Sequence, residues 1–589
     1  MTAKYAIGID LGTTNSSLAY TELGAEHPNI QVLPIPQLVE AGTVEARTML
    51  PSFIYIGLKE EEEKGAFALP WGSKPYAVGE WARRQSADVP TRTIAGAKSW
   101  LAYSRVDRHQ PILPWNAPED VQKISPVEAS RRYVEHMIAA WTAAFPDAPI
   151  QQQQVVLCVP ASFDAAAREL THEAAIQAGL PDSLVLLEEP QAAIYAWLAE
   201  HEKNWRKRVN EGDILLVCDV GGGTTDLTLA QVNQENGELS LQRLAVGNHI
   251  LVGGDNMDLA LAHVAQTAFA EKGTNLDPWQ SVSLWHACRT AKEVLLGTEG
   301  KDRYPVAILG RGRKVIGGSI SMDMHKDEVS TLLTDGFFPA CRFDEKPVRR
   351  AASGFKQLGL PFESDPGITR HLAFFLQQHG GVQPTHVLFN GGVFKAGFFR
   401  ERVLESLGSW FGADRQPKIL EGNTDFDLAV ARGAAYYGTV KQGRGIRIRG
   451  GIGRSYYVGM ETAGPAIPGA IRPLQCLCVA PMGMEEGAEL DVPSEEIGLI
   501  VGEEAHFRFF SSSVRKDAPG VLLPKWKEEE VGETDSLKTA LPAAKGAEGD
   551  YVPVRFHTKV TELGSLELWC VSTVSDDRWK LEFSVRENE

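Results

Sequence analysis

No stretch of this sequence approaches the roughly 18 consecutive apolar residues that a membrane-spanning helix needs, so no membrane association is expected. Cysteine is sparse, with seven residues scattered over 589 and no Cys-x-x-Cys pair. That excludes a disulfide framework and the common thiolate metal sites. Cys476 and Cys478 lie two apart on what reads as one strand, where period-two geometry sends both side chains to one face. Cys158, Cys218, Cys288, Cys341 and Cys570 read as small core or half-buried residues without chemistry of their own. Positive charge is also in deficit: 59 Lys plus Arg face 76 Asp plus Glu, a formal charge of −17. Such a balance repels polyanions, so nucleic acid is not an expected partner. Met1-Thr2-Ala3-Lys4-Tyr5 enters a strand pattern without an apolar leader or a small-residue cleavage site, which makes cytoplasmic residence the expectation. Repeats of solenoid period are absent.

What is present is ordinary globular material, 43% hydrophobic and 23% charged, in a chain long enough for about two to four domains. Short apolar runs at Tyr5 to Asp10, Val155 to Pro160, Ile214 to Val220 and Val387 to Phe389 predict buried strands, several of them feeding Gly- or Asp-rich turns. Between them, apolar spacing predicts helices over Ser130 to Phe145, Asp164 to Ala178, Gln191 to Glu200, Leu284 to Leu296 and Asp427 to Tyr437. The fold class is therefore α/β. After about Tyr437 the texture changes: Gly and Arg crowd Gly443 to Arg454, and alternating segments such as Leu566 to Val574 and Trp579 to Val585 predict a separate β domain. Gln37 to Arg47 and Lys59 to Lys64 read as surface insertions, the second a solvated charge run.

Two turns carry the chemistry. Asp10-Leu11-Gly12-Thr13-Thr14-Asn15 follows the first strand, and Asp219-Val220-Gly221-Gly222-Gly223-Thr224-Thr225-Asp226 follows another. In each, a buried strand ends at an aspartate and a Gly/Thr turn lets backbone N–H groups approach phosphate oxygens, with Thr hydroxyls as added donors. One Gly-rich turn also suits a tight hairpin; two Asp-headed copies on buried strands suit a phosphate cleft. If the turns are opposed, Asp10 and Asp219 offer the hard oxygen ligands that Mg2+ prefers beside a triphosphate. Asn390-Gly391-Gly392-Val393-Phe394 forms a third glycine turn before a helix near Gly397, and Gly253-Gly254-Asp255 precedes another helix whose N-terminus can meet phosphate.

Six ordered segments, Ile7 to Tyr20, Val155 to Arg168, Glu189 to Ala193, Val217 to Thr228, Val252 to Asp258 and Asp427 to Gly438, resemble the nucleotide-binding domain of the Hsp70 chaperone family. The resemblance implies an actin-like, two-lobed ATPase domain of the Hsp70/hexokinase superfamily over residues 1–440, a Gly/Arg-rich linker at 441–450 and a smaller, β-sandwich-like substrate-binding domain at 451–589. It further implies a divergent bacterial-type, DnaK-like member without the C-terminal helical lid, binding ATP or ADP with Mg2+ and, in the family pattern, K+. Lys98, within Gly96-Ala97-Lys98-Ser99-Trp100, matches the family's catalytic lysine. Glu189, after Glu188 and before Pro190, matches the glutamate that places water and joins the metal shell with Asp10 and Asp219, while Thr224 matches the γ-phosphate side. The same matches place Gly12, Thr13, Thr14, Asn15, Gly221, Gly222, Gly223, Thr225, Asp226, Gly253, Gly254, Lys292, Gly391, Gly392 and Asp427 around the nucleotide.

Some positions depart from the family. Arg289 stands where a glutamate is usual, Leu296 where a serine is common, and Val393 and Lys395 replace small and arginine residues, all on the adenosine side. Pro160 and Arg168 match the family's proline switch and relay arginine, but Arg444-Gly445-Ile446-Arg447-Ile448-Arg449-Gly450 replaces an aliphatic linker. The expected function is an Hsp70-type chaperone, whose Mg-dependent ATP binding and hydrolysis control how the β domain holds unfolded or extended protein clients. A J-domain co-chaperone, an exchange factor or another Hsp70 are the partners this implies. The alternative is a nucleotide-sensing, weakly hydrolysing module that works by docking to another chaperone. A small-molecule kinase or an actin-like filament protein share the superfamily, but Lys98, Glu189 and the appended β domain speak against the kinase.

Overall fold

The computed structural model describes residues 3–25, 28–103, 105–115, 117–201, 204–235, 238–248, 250–297, 301–309, 319–348, 363–420, 425–443, 448–449, 451–461, 474–500, 503–540, 551–561 and 565–583. Two mixed six-stranded sheets organise the first three quarters. In the first, the order runs Val185–Glu188, Gln154–Val159, Tyr5–Leu11, Asn15–Glu22, Gln31–Val32, with Leu50–Pro51 added beside Asn15–Glu22. In the second it runs Lys418–Ile419, His386–Asn390, Ile214–Val220, Thr225–Glu235, Glu238–Val246, Ile448–Arg449.

The sheets repeat one plan. Each has an antiparallel hairpin, Tyr5–Leu11 with Asn15–Glu22 or Ile214–Val220 with Thr225–Glu235, and the hairpin's first strand also pairs with a parallel strand from far along the chain. A parallel partner requires a crossover, and helices supply it. The run Ile214 to Val220 is buried on both faces, which is why it reads as continuous apolar sequence.

Helices Glu189–Glu200 and Ala429–Val440 fill the space between the sheets, with Trp197, Tyr195, Tyr436 and Tyr437 packed against Val156, Leu215 and Val217. The approach is close because small residues allow it: a side chain at Gly433 would collide with the Ala192 carbonyl, and one at Gly8 with the Ala431 carbonyl. Helix Pro126–Ala144 covers the outer face of the first sheet, while Gly254–Glu271, Pro278–Leu296, Ile368–Gln378 and Gly397–Phe411 cover the second.

After Val440 the described residues contain strands and no helix. Ser455–Glu461 pairs with Leu474–Ala480 and Phe509–Ser512, and Tyr551–Val560 with Leu566–Ser572, around a core that includes Val458, Val479, Phe509, Phe556 and Cys570. Cys476 and Cys478 fall on one buried face with Tyr457 and Phe510. This part meets the rest through a buried Arg108–Asp535 ion pair at 3.0 Å, Arg454 donating to the Ser162 carbonyl at 3.2 Å, and a 2.8 Å bond between Ser513 and Asn248.

Three expectations need correction. Gln37 to Arg47 is not wholly a surface insertion: Gln37 is fully buried, donates to the Met49 carbonyl at 2.8 Å and accepts from the Glu80 amide at 2.9 Å, leaving the strand Thr43–Arg47 exposed. Trp579 to Val585 is not one strand, since Arg578–Lys580 pairs with Leu566–Ser572 and Glu582–Phe583 with Leu537–Ala540. The helix expected from Asp427 runs instead over Ala429–Val440. Lys59–Glu63 forms an exposed helical turn, as a solvated charge run should. Of the linker 441–450, residues 444–447 and 450 lie outside the described residues. No helix among the described residues is long and apolar enough to cross a membrane.

Candidate functional site

The shared plan of the two sheets brings their hairpin turns together. Asp10 is one residue from the end of Tyr5–Leu11, and Asp219 one residue from the end of Ile214–Val220. Both line a cleft of about 520 Å³, together with Gly12, Thr13, Thr14, Asn15, Gly221, Gly222 and Thr224. Backbone ties the second turn to the start of helix Gly254–Glu271: the Gly254 amide donates to the Gly221 carbonyl at 3.0 Å and the Asp255 amide to the Gly222 carbonyl at 2.7 Å. A side chain at Gly222 would strike the Thr14 hydroxyl. Gly391 adopts φ +88° with the Val220 carbonyl and the Asp219 carboxylate against it, a position open only to glycine. Gly392 and Asp427 complete that wall.

Lys98 enters from helix Ala97–Leu101, which starts at Gly96 in the left-handed conformation. Its ammonium forms an ion pair with Glu189, in the first turn of Glu189–Glu200. Burial pulls the Lys98 pKa down, but the Glu189 and Asp10 carboxylates outweigh it and the ammonium is held charged. The carboxylates respond the other way. Burial, then the charge of Glu189, pushes Asp10 up to about 7. Burial and Glu189 push Asp219 up to about 8, although Asn390 donates to it at 2.7 Å. Burial also raises Glu189, with Lys98 opposing. Dehydrated carboxylates crowded in this way favour a cation among them.

Not every residue matched from sequence faces the cleft. Thr225 is fully buried and its hydroxyl donates to the Val252 carbonyl at 2.8 Å, so it braces the turn from behind. Asp226, Gly223 and Gly253 also do not line the cleft. Among the described residues no three carboxylate, imidazole or thiol groups converge to hold a metal. The set Asp10, Asp219 and Glu189 is thus no preformed cage, and Glu189 is engaged by Lys98. On the far wall, Lys292 donates to the Gly254 carbonyl at 2.7 Å and pairs with Asp258 at 2.6 Å. Arg289 pairs with Asp255 at 2.7 Å and Asp258 at 3.0 Å, and Lys395 pairs with Asp427. Asn390 and Asp255 were given no role from sequence; the available signal was their place in the third and fourth glycine motifs.

Comparison with known proteins bears on this arrangement. Residues 68–337 match the family model described as Hsp70 protein, a span that holds Lys98, Glu189 and the Asp219 turn but neither the Asp10 turn nor Gly391. The chain is 31% identical over 271 residues to the chaperone protein HscA of Enterobacter sp., covering 44% of this chain and 37% of that protein. It is 30% identical over 307 residues to the HscA homolog of Pseudomonas fluorescens, 50% of this chain and 42% of the other. With the HscA homolog of Methylobacillus flagellatus the identity is 31% over 322 residues, 53% and 44% of the two chains. Over residues 68–337 the chain is similar to Hsp70 proteins. The matched stretch spans about two-fifths of these curated relatives' own length. On the wall that carries Arg289, Lys292 and Lys395, all three cations have carboxylate partners.

Proposed function

We propose that residues 1–440 form an actin-like, two-lobed ATPase domain, one lobe around each six-stranded sheet, which binds ATP or ADP with Mg2+ and hydrolyses ATP. We further propose that residues 451–589 form a β-sandwich-like domain that holds extended protein segments under its control. One observation carries the reading: the two Asp-headed turns, from strands some two hundred residues apart, meet the Lys98–Glu189 pair in one cleft. The fit of a triphosphate rests on the glycine cradle at Gly222 and Gly391, and on a Thr14 hydroxyl buried without a hydrogen-bond partner. A magnesium ion usually keeps water and phosphate ligands and needs only one or two carboxylates, so Asp10 and Asp219 suffice for it. When bound, the ion neutralises charge on the phosphate oxygens.

The residues of the chain divide the remaining work. Turn amides and Lys98 stand where phosphate charge develops, and their fixed positions avoid reorganisation during the reaction. Glu189, within reach of the ammonium and itself raised by burial, orients the attacking water. No covalent nucleophile is required.

A second reading, a nucleotide-sensing module that hydrolyses little, is favoured by the internal pairing of Arg289 and Lys292, which leaves fewer free groups for the nucleoside. Single-turnover phosphate release from stoichiometric ATP and Mg2+ separates the two. Hydrolysis by wild type, its loss in Lys98→Ala and a changed rate with an extended apolar peptide are the outcomes expected of a coupled chaperone. Binding without phosphate release would move the assignment to the sensing module.

A further inference from the structure

Beside the cleft lies a second cavity, at about 670 Å³ the larger of the two. The two share Asp255, and chain neighbours divide between them: Lys98 and Gly222 line the cleft, Ser99 and Gly223 the second cavity. Its character is opposite to that of the cleft. Trp100, Trp115, Trp279 and Trp285 line it with Leu113 and Val282. Trp115 stacks on Trp100 with ring centres 4.7 Å apart, yet remains 37% exposed. Close-packed proteins leave few openings of this size, and a mainly apolar one with a few polar groups is the usual form of a small-molecule site.

The charge pattern narrows the occupant. The carboxylates on the wall are Asp255 and Asp277, and both are engaged, Asp255 by Arg289 at 2.7 Å and Asp277 by the Gln280 amide at 2.8 Å. His286 is kept neutral by burial and by Arg289. The wall therefore offers indole faces, on which a flat ring stacks, with one carboxylate paired to a guanidinium and the other capping helix Pro278–Leu296.

We propose that this cavity is a binding site for a neutral aromatic small molecule, held against the four indoles next to Ser99 and distinct from the nucleotide cleft. This goes beyond the ATPase reading and does not depend on whether the cleft hydrolyses ATP. The test is a fluorescence titration of the full chain with N-phenyl-1-naphthylamine, a neutral aromatic probe. One saturable site per chain is expected, weakened about tenfold or more in both Trp115→Ala and Val282→Asp, the loss anticipated for removing an apolar wall or placing a charge on it. Thermal melting checks the fold, and if either variant melts early, Ala117→Trp, which fills the cavity, takes its place with the same expectation. Absence of saturable binding, or wild-type affinity in the variants, overturns the proposal. So does displacement of the probe by an extended apolar peptide, which locates it in the β-rich part. Complete loss of binding on adding Mg·ATP also overturns it, because the cavity is then only the gap of an open cleft.

Discussion

Gly433 offers a test in which two physical rules predict opposite signs. It lies inside helix Ala429–Val440, where replacing glycine by alanine stabilises an exposed helix by about 1 kcal/mol. Here the new Cβ points at the neighbouring helix Glu189–Glu200: the Ala192 carbonyl stands in its place and the Ala196 amide nitrogen is 2.9 Å away. These are backbone atoms, which cannot turn aside as a side chain can, so the helices must separate. Overpacking of this kind costs about 1–3 kcal/mol, and a rigid backbone obstacle argues for the upper end. Subtracting the propensity gain leaves Gly433→Ala about 2 kcal/mol less stable than wild type. Gly336, in helix Lys326–Phe337, is the control, because a Cβ there meets nothing within 4 Å and Gly336→Ala is expected to gain about 0.5 kcal/mol. Urea unfolding followed by tryptophan fluorescence reads both midpoints. Single-turnover hydrolysis should also slow in Gly433→Ala, since Glu189 rides on the displaced helix. A Gly433→Ala midpoint equal to or above wild type would refute the close-approach argument.

Two further outcomes follow from buried polar groups. Glu188 is buried and accepts from Arg168 at 2.6 Å and from Arg243, which also donates to the Gly451 carbonyl. Burial alone would raise its pKa, yet Arg243 and Arg168 hold it below the usual carboxylate value. Glu188→Gln keeps the shape but removes the carboxylate that two guanidinium groups share, and should cost about 3–5 kcal/mol in urea unfolding; a loss under 1 kcal/mol would count against the network. His136 is buried with its Nε2 2.9 Å from the Pro36 carbonyl, and burial pushes its pKa down to about 4 from 6.5. The unfolded chain then binds more protons than the folded one as pH falls from 6.5 towards 4, so stability present above 6.5 is lost through that window, about 3 kcal/mol by pH 4. The melting curves of wild type and His136→Gln should converge as the pH is lowered through this range; parallel curves would exclude the effect.

How much of this was legible beforehand depends on sequence distance. Apolar runs, the period of helices and the Gly/Thr turns are local properties, so the strands at Tyr5–Leu11, Gln154–Val159, Ile214–Val220 and His386–Asn390 and the turns that follow them could be placed from the residues alone. The same local rules put Asp10 and Asp219 at strand ends and set Cys476 and Cys478 on one face. They also erred where tertiary context intervened: Gln37 looked like an exposed polar residue and is buried because two backbone groups satisfy its amide.

Tertiary structure alone decided which members of each turn face the cleft. Thr224 and Thr225 are adjacent and chemically identical, but one lines the cleft and the other is turned to the Val252 carbonyl. It joined Asn390 to Asp219 across 171 residues, Glu188 to Arg243 across 55 and Arg243 to Gly451 across 208. It gathered Trp100, Trp115, Trp279 and Trp285 around one cavity, though nothing in their spacing connects them. The physical reason is common to all of these. Backbone preferences and side-chain period act over a few residues, whereas hydrogen-bond partners and cavity walls are chosen by how the sheets and helices pack, and packing leaves no period in the sequence.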